Sequence, residues 1–171
     1  SSYRYSGDRT VLSYEEMNGY CNRAIKLNPN CKLTLILMQV NDMEDYMKNE
    51  GSGFVQDLLQ SVQDTVRRHV GHRGIVCPLQ PNLMSVVVQD INSDIKLRAF
   101  IESLRSRIAW NYRLIDPKYE ISFSFGVACY PENGMDMRIV HRKLVKALQM
   151  AQEKHANCYV IYKEHLHGEL S

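Results

Sequence analysis

Residues Glu120 to Gly134 read EISFSFGVACYPENG and decide the fold of this chain. Ile121, Phe123 and Phe125 alternate with small or polar residues, a period of two that is typical of a β-strand. The apolar run continues to Cys129, and the PENG segment that follows has the residues of a turn. Helical spacing begins again at about Met137. The pattern therefore predicts a strand in the interior of a sheet, followed by a turn and a helix.

The remaining segments supply the other elements of the same sheet. Apolar spacing predicts helices over 14–26, 54–69, 91–110 and 137–154, and strands over 32–40, 75–79, 83–89 and the segment before Tyr162. Ser13 and Glu16 form a capping-box pattern at the first helix. The order α-β-α-β-β-α-β-α-β contains the β-α-β-β-α-β core of a ferredoxin-like palm. We therefore predict an α/β (α+β) domain with a mainly antiparallel five-stranded sheet flanked by helices.

Length and composition set limits on the kind of protein. The chain has 171 residues, 44% of them hydrophobic and 23% charged, which suits one globular domain. A net charge of +2 does not suggest nucleic-acid binding, and no apolar run is long enough to predict membrane contact. Five widely spaced cysteines favour a reduced, cytoplasmic domain. We expect a leader or linker over 1–12, a domain over 13–164 and a tail over 165–171, cut from a longer protein that could be anchored in a membrane elsewhere.

Two blocks of the sequence resemble one known family. SFGVACYPENG resembles the S-x-G-V-A-x-Y-P-x-x-G run of GGDEF domains, the diguanylate cyclase family. LVKALQMAQEKHANCYVIY, residues 144–162, resembles that family's ADxALYxAKxxGRNxV pattern, with Ala147, Leu148, Ala151 and Asn157 in register. Weaker similarity extends from about Val11 to Tyr162. The resemblance implies a nucleotidyl-cyclase palm that makes cyclic di-GMP from GTP with divalent metal ions.

The residues that the resemblance assigns to the metal site are amides here. Palm cyclases need carboxylates to hold two metal ions, which activate a hydroxyl for attack on a triphosphate. In the family pattern DIDxFKxxND the first aspartates hold metal. Gln39 and Asn41 stand in their places. An amide offers an oxygen but no charge, so we expect this chain to hold no metal.

The GGDEF motif itself is also replaced. The similarity places Gln80, Pro81, Asn82, Leu83 and Met84 where the five motif residues should stand. The two glycines that allow a nucleotide to approach the backbone are lost, and proline also removes a donor. No Asp or Glu occurs from residue 65 to 89, and the family's RxxD site, which would fall on 71–74, lacks its acid.

Further nucleotide contacts of the family are altered as well. Gln152 replaces the phosphate-binding lysine, and the family's Asn and Asp after the first strand fall near Met47 and Gln56. An intact apolar framework without these polar contacts indicates a degenerate GGDEF domain.

These replacements favour a catalytically inactive domain that regulates or dimerises a longer bacterial signalling protein. Its partners would be the adjacent domains of that chain and possible copies of itself. An alternative is a non-catalytic receptor that binds GTP or a cyclic dinucleotide weakly. No cofactor is expected; Mg²⁺ and GTP would bind only if family function remains. A third hypothesis is a phosphohydrolase that uses Asp42, Glu44 and Asp45, although a helix starting there would favour acids on electrostatic grounds alone.

Histidines and cysteines offer no stronger site. His69 and His72, and His165 and His167, have spacings that are common by chance, so exposed histidines are a simpler interpretation than a metal site. Cys77 lies in the predicted hairpin with only Arg73 nearby to lower its pKa, so we do not expect a reactive thiol there.

Overall fold

The computed structural model describes residues 6–91, 93–113, 120–154 and 157–168, with side chains from residue 14 onward apart from residue 113. A 3₁₀ turn, Gly71–Arg73, connects the third helix to the second strand. The other elements are α1 Ser6–Leu27, β1 Leu33–Val40, α2 Met43–Glu50, α3 Ser52–Val70, β2 Gly74–Gln80, β3 Leu83–Gln89, α4 Asp94–Arg113, β4 Phe123–Tyr130, α5 Met137–Lys154, β5 Cys158–Ile161 and α6 Glu164–His167.

The five strands form one sheet in the order β2-β3-β1-β4-β5. Strand β1 lies at its centre and pairs antiparallel with both β3 and β4. Strands β2 and β3 form the antiparallel hairpin, and β5 joins β4 in parallel at the edge. The predicted α/β palm with a mainly antiparallel five-stranded sheet is confirmed. Its central strands are apolar on both faces, because helices cover the sheet on each side.

Two cores lie on opposite faces of the sheet, because successive strand residues point to opposite sides. On one face Met38, Val86 and Phe125 pack with residues of α3 and α4. On the other face Leu35 and Val87 pack with residues of α1 and α5. At the end of β1, Gln39 and Asn41 are only half-buried, which leaves room for a site at the sheet edge.

The turn after β4 is held by a buried asparagine. Asn133 is 1% exposed. Its Oδ1 accepts the Cys129 backbone N–H at 2.8 Å, and its Nδ2 donates to the Tyr162 carbonyl at 3.5 Å. The same side chain therefore closes the turn and ties the end of β4 to the segment after β5, a role that the turn residues of the PENG segment do not reveal by themselves.

Three elements differ from the predictions. Helix α1 begins at Ser6, so the capping-box pattern at Ser13 lies inside the helix and the predicted leader overlaps its first turns. The residues on either side of Ser13 are compatible with a helix, and none of them ends it. Helix α2 was not predicted, because it is short and Tyr46 is its one buried residue among those described. Helix α6, Glu164–His167, includes the first three residues of the predicted tail, and Lys146 Nζ donates to the carbonyl of its His167 at 2.9 Å.

Candidate functional site

A polar cleft opens where β1 ends. Its volume is about 360 Å³. Three parts of the chain meet there: the last residues of β1, the start of α2 and the turn between β2 and β3. Its polar lining consists of Gln39, Asn41, Asp42, Glu44, Asp45 and Asn82. The antiparallel pairing of β1 with β3 places the hairpin turn beside the end of β1, so residues far apart in sequence share one cleft.

Asn82 fastens the hairpin turn to β1. The Val40 backbone N–H donates to the Asn82 carbonyl at 2.9 Å. In return, Asn82 Nδ2 donates to the Val40 carbonyl at 3.2 Å. An aspartate or glutamate at this position would lose the second bond, because a carboxylate has no donor. The Asn82 amide therefore has a structural role in this chain, at the position that the resemblance assigns to an acid of the family motif.

Asn41 lines the cleft and is bonded to β4 and to the residue just before it. Its Nδ2 donates to Ser122 Oγ and to Ser124 Oγ, each at 3.0 Å. Ser124 Oγ also lies 3.3 Å from Asn41 Oδ1, and the Asn41 backbone N–H donates to the Ser122 carbonyl at 2.9 Å. Both ends of the amide are thus satisfied by protein groups, which leaves little capacity to bind a cation.

The side chain of Gln39 is also hydrogen-bonded within the protein, in this case to helix α5. Gln152 Nε2, on α5, donates to Gln39 Oε1. The resemblance to the GGDEF pattern assigns these two residues to the family's metal-binding and phosphate-binding positions. Where the family pattern has an aspartate for a metal ion and a lysine for a phosphate, this chain has two neutral amides that bond to each other. The contact joins the end of β1 directly to α5.

The other predicted positions divide between the turn and the core. Gln80 and Pro81 are exposed at the hairpin tip. Leu83 pairs with Gln39 across the strands and is half-buried, while Met84 is 1% exposed and pairs with Met38. The structure therefore brings Gln39, Asn41, Asn82 and Gln152 to one place. Leu83 and Met84 belong to the packing of the sheet.

The acids at the start of α2 are exposed. Asp42 is the residue before α2, with a left-handed backbone (φ 64°), and Glu44 and Asp45 lie in its first turn. Acids there interact favourably with the helix dipole. In the part of the chain that the structure describes, no three His, Cys, Asp or Glu side chains are grouped so that they could hold a metal ion. The phosphohydrolase hypothesis gains no support from this arrangement.

Sequence reasoning missed two serines, one in β4 and one just before it, as members of the site. Ser122 and Ser124 hold Asn41, and Ser124 is buried. Their alternation with phenylalanine shows that they share one side of the strand. That signal identifies a polar stripe, but only the pairing of β1 with β4 shows what it contacts.

The histidine and cysteine interpretations change in detail. His69 is half-buried, with Nε2 3.2 Å from the Phe100 carbonyl, and burial lowers its pKa. His167 Nδ1 accepts the Lys163 backbone N–H at 2.9 Å. These two histidines are therefore not simply exposed as predicted, since each is held by a backbone group. Burial raises the pKa of the Cys77 thiol to about 11, so it is not a reactive thiol.

Comparison with known proteins decides the family. The profile of the family described as "Diguanylate cyclase, GGDEF domain" matches residues 14–158. The chain belongs to the GGDEF domain family. One curated relative, an uncharacterized protein of Synechocystis sp., is 17% identical over 142 residues, which are 83% of this chain. The chain spans about a fifth of that relative's length, 20%.

Solved GGDEF domains share the fold. The active GGEEF domain of a diguanylate cyclase from Vibrio cholerae has a TM-score of 0.72 at 16% identity and covers 85% of this chain and 90% of its own. The GGDEF domain of DgcB from Caulobacter crescentus, in complex with c-di-GMP, has a TM-score of 0.72 at 12% identity, covering 86% of each chain. The FimX GGDEF domain from Pseudomonas aeruginosa has a TM-score of 0.68 at 13% identity, covering 88% and 90%. Identities this low establish the architecture and not the activity.

Within the described ranges, no helix combines the length and the apolar character that crossing a membrane requires.

Proposed function

We propose that this GGDEF domain is catalytically inactive and serves as a regulatory or dimerisation module of a longer bacterial signalling protein. The observation that carries the proposal is the state of the two metal positions. Gln39 is bonded to Gln152 of α5, and Asn41 is bonded to Ser124 of β4 and to Ser122 just before it. Each amide contacts another part of the protein in the place where the family would contact a metal ion.

The charge of the cleft supports the same conclusion. Phosphoryl transfer depends on metal ions and cations that neutralise a triphosphate. Among the described residues that line the cleft, three are carboxylates and none is basic. Without bound metal ions, Asp42, Glu44 and Asp45 would repel a triphosphate. Because they are exposed on the α2 side, they do not replace the acids that the family places at the end of β1.

The retained framework supports a role in association or regulation. The sheet, both cores and the helices of the palm are present although the polar contacts of the family site are not. A domain kept for its shape needs stable packing but no metal site. The partners in this proposal are the adjacent domains of a longer cytoplasmic chain, and the 20% coverage of the curated relative is in keeping with such a context.

A second candidate function is a non-catalytic receptor for GTP or a cyclic dinucleotide. The polar cleft of about 360 Å³ favours it, because amide side chains can bond to nucleobase edges. Calorimetry with GTP, ATP and cyclic di-GMP, each with and without Mg²⁺, separates the two. Saturable heat from any of these at micromolar concentration supports the receptor, and its absence removes it.

The proposal is tested by assaying GTP conversion at high protein concentration with Mg²⁺ or Mn²⁺. The active GGEEF domain from Vibrio cholerae serves as the positive control under the same conditions. We expect no cyclic di-GMP and no pyrophosphate above the level of a heat-inactivated sample. Steady product formation that rises with enzyme concentration, and falls when Gln39 and Gln152 are both replaced by alanine, would overturn the proposal.

A further inference from the structure

A second cavity opens at the end of β1 opposite the polar cleft, and its volume is about 380 Å³. Its lining comes from the start of β1, from the end of β4 with the turn after it, and from the start of α4. Thr34 in this cavity and Gln39 in the cleft are five positions apart on β1, roughly 17 Å. The volume is within the range of sites that hold small molecules. We call this second site the β1–α4 cavity.

The inner part of the β1–α4 cavity suits an apolar group. Its apolar and aromatic lining residues are Leu33, Ile91, Leu97, Tyr130 and Pro131. Thr34 pairs with Cys129 across β1 and β4, and the side chains of these two residues are in hydrogen-bond contact. Alternation along β1 places Thr34 on the face of the sheet that α4 covers. Because the hydroxyl and the thiol already contact each other, the depth of the cavity offers mainly apolar contact to a ligand.

Two carboxylates stand at the mouth of the β1–α4 cavity. Asp94 is the first residue of α4, and Glu132 lies in the turn after β4. Lys163 joins them, since its Nζ donates to Asp94 Oδ1 at 2.9 Å and to Glu132 Oε1 at 3.2 Å. Both carboxylates are about half exposed, whereas the Lys163 side chain is 17% exposed. One ammonium therefore faces two carboxylates, and this group of three has a net negative charge with oxygens able to accept further hydrogen bonds.

The other polar groups at the mouth do not reverse this preference for a cation. Lys32 also lines the cavity, but it is an exposed residue, and water and salt screen an exposed ammonium. The start of α4 is capped by its own sequence, because the Lys96 backbone N–H donates to Ser93 Oγ at 3.2 Å. The positive end of the helix is thus partly satisfied within the protein. An anionic ligand would meet both carboxylates, whereas a cationic ligand finds acceptors in them.

We propose that the β1–α4 cavity binds a small organic cation that consists of a protonated primary amine on a compact apolar body. The ammonium donates to the carboxylates of Asp94 and Glu132 at the mouth, and the body packs against Leu97 and Ile91 inside. Free apolar amino acids and simple alkylamines share this chemistry. The inference goes beyond the proposed function, since the polar cleft takes no part in it. It gives the domain a ligand that is not a nucleotide.

Related probes separate the contributions of the amine and of the body. Isopentylamine has an apolar body and an ammonium, isocaproate has a similar body with a carboxylate, and methylamine has the ammonium with almost no body. Each is titrated at about pH 7, where amines are protonated, while NMR follows the methyl groups of Thr34 and Leu97. We expect saturable shifts with isopentylamine at a dissociation constant on the order of 1 mM, as for other very small ligands. Isocaproate and methylamine should each bind at least about tenfold more weakly.

Leucine identifies the source of the amine, because it carries both an ammonium and a carboxylate on the same kind of body. Leucine that binds as tightly as isopentylamine assigns free amino acids to the cavity. Binding of isopentylamine without binding of leucine assigns simple amines. Either result supports an amine with an apolar body as the ligand.

Variants of the lining test the two halves of the site. Glu132→Gln and Asp94→Asn keep the shape of each side chain and remove its charge, so each should weaken isopentylamine binding about fivefold or more. Glu102→Gln is the matched control, because Glu102 is 57% exposed, against 56% for Glu132, and lies about two turns further along α4. It should change nothing. Ile91→Trp puts a larger side chain at the half-buried edge of the cavity and should abolish binding, with a melting curve to show that the domain stays folded.

Several results would overturn the inference. Shifts at the Asn82 side-chain amide, without shifts at Leu97, would place the amine in the polar cleft. Equal binding of isocaproate, or binding that Glu132→Gln and Asp94→Asn leave unchanged, would remove the role of the carboxylates. The absence of any shift up to about 20 mM isopentylamine would leave the cavity without this ligand. The proposed inactivity towards GTP is tested separately, because the probes carry no phosphate and bind at the opposite end of β1.

Discussion

Gly126 is the position where the contact between β4 and α5 is closest. A Cβ placed there would lie 2.3 Å from the Leu148 backbone nitrogen, 2.7 Å from its Cα and 2.8 Å from the Leu144 carbonyl oxygen. These are backbone atoms of α5, so no side chain can turn aside to make room. Ordinary contacts begin near 3.4 Å, so Gly126→Ala must separate the helix from the strand by roughly 1 Å.

That separation affects the packing between strand and helix. Leu144, Ala147 and Leu148 of α5 are all buried. A gap of about 1 Å removes a quarter to a half of each contact energy, and overpacking alone costs about 1–3 kcal/mol. We expect Gly126→Ala to lower the free energy of unfolding by about 3–4 kcal/mol in total. For a domain of this size, the melting temperature would fall by roughly 6–16 °C.

Urea denaturation measures this loss, with the slope of the transition as a check that unfolding remains two-state. Gly53→Ala is the matched control, because nothing lies within 4 Å of a Cβ at Gly53 and the residue is in a helix. The control should be neutral or stabilising by up to about 0.5 kcal/mol. A loss below about 1 kcal/mol for Gly126→Ala would refute the close approach of β4 and α5.

Three further predictions concern single side chains. Asn133 is buried, and Asn133→Ala should lower the free energy of unfolding by about 2–3 kcal/mol, because it leaves the part-buried Cys129 N–H without its acceptor. A loss near zero in urea denaturation would contradict this. The side-chain and backbone hydrogen bonds from Arg138 lower the pKa of Asp136 to about 2. The stability that this pair contributes should be fully present above about pH 4 and lost as the pH falls towards 2. NMR titration of the Asp136 carboxyl checks this, and Arg138→Ala should raise its pKa. A pKa near 3.8 for Asp136 in the parent chain would be inconsistent with the pairing. Burial raises the pKa of Cys21 to about 12 and that of Cys77 to about 11. Neither thiol should therefore react with iodoacetamide at about pH 8 in the folded protein. Rapid labelling of either cysteine, detected by mass spectrometry, would show that these thiols are accessible.

Much of the fold could be predicted because the signals are local. The alternation before Cys129 and the helical spacing after Met137 lie within single elements, and β4 and α5 were found where those patterns indicate. The start of α1 could not be placed, since a capping-box pattern is compatible with a helix interior. Helix α2 is too short and too polar for periodicity to detect, because Tyr46 is its one buried residue among those described.

The site could be predicted only in part because its contacts are not local. The residues at the family positions came from similarity to the GGDEF pattern, and three of them, Gln39, Asn41 and Asn82, line one cleft. What each amide bonds to depends on strand register and on where α5 packs. The Gln39–Gln152 contact joins residues 113 apart in sequence, and Asn41 reaches Ser124 across 83 residues. No local pattern specifies such pairs.

The claim that amides have removed the metal–nucleotide site is tested most directly by Mn²⁺ binding in the presence of GTP. The electron paramagnetic resonance signal of Mn²⁺–GTP is recorded as the protein is added, with the active Vibrio cholerae GGEEF domain as the positive control. Because Gln39 and Asn41 carry no charge and are bonded to Gln152, Ser122 and Ser124, we predict a signal unchanged by protein up to about 1 mM. A saturable change in the signal at micromolar protein, abolished by Gln39→Ala, would contradict the account.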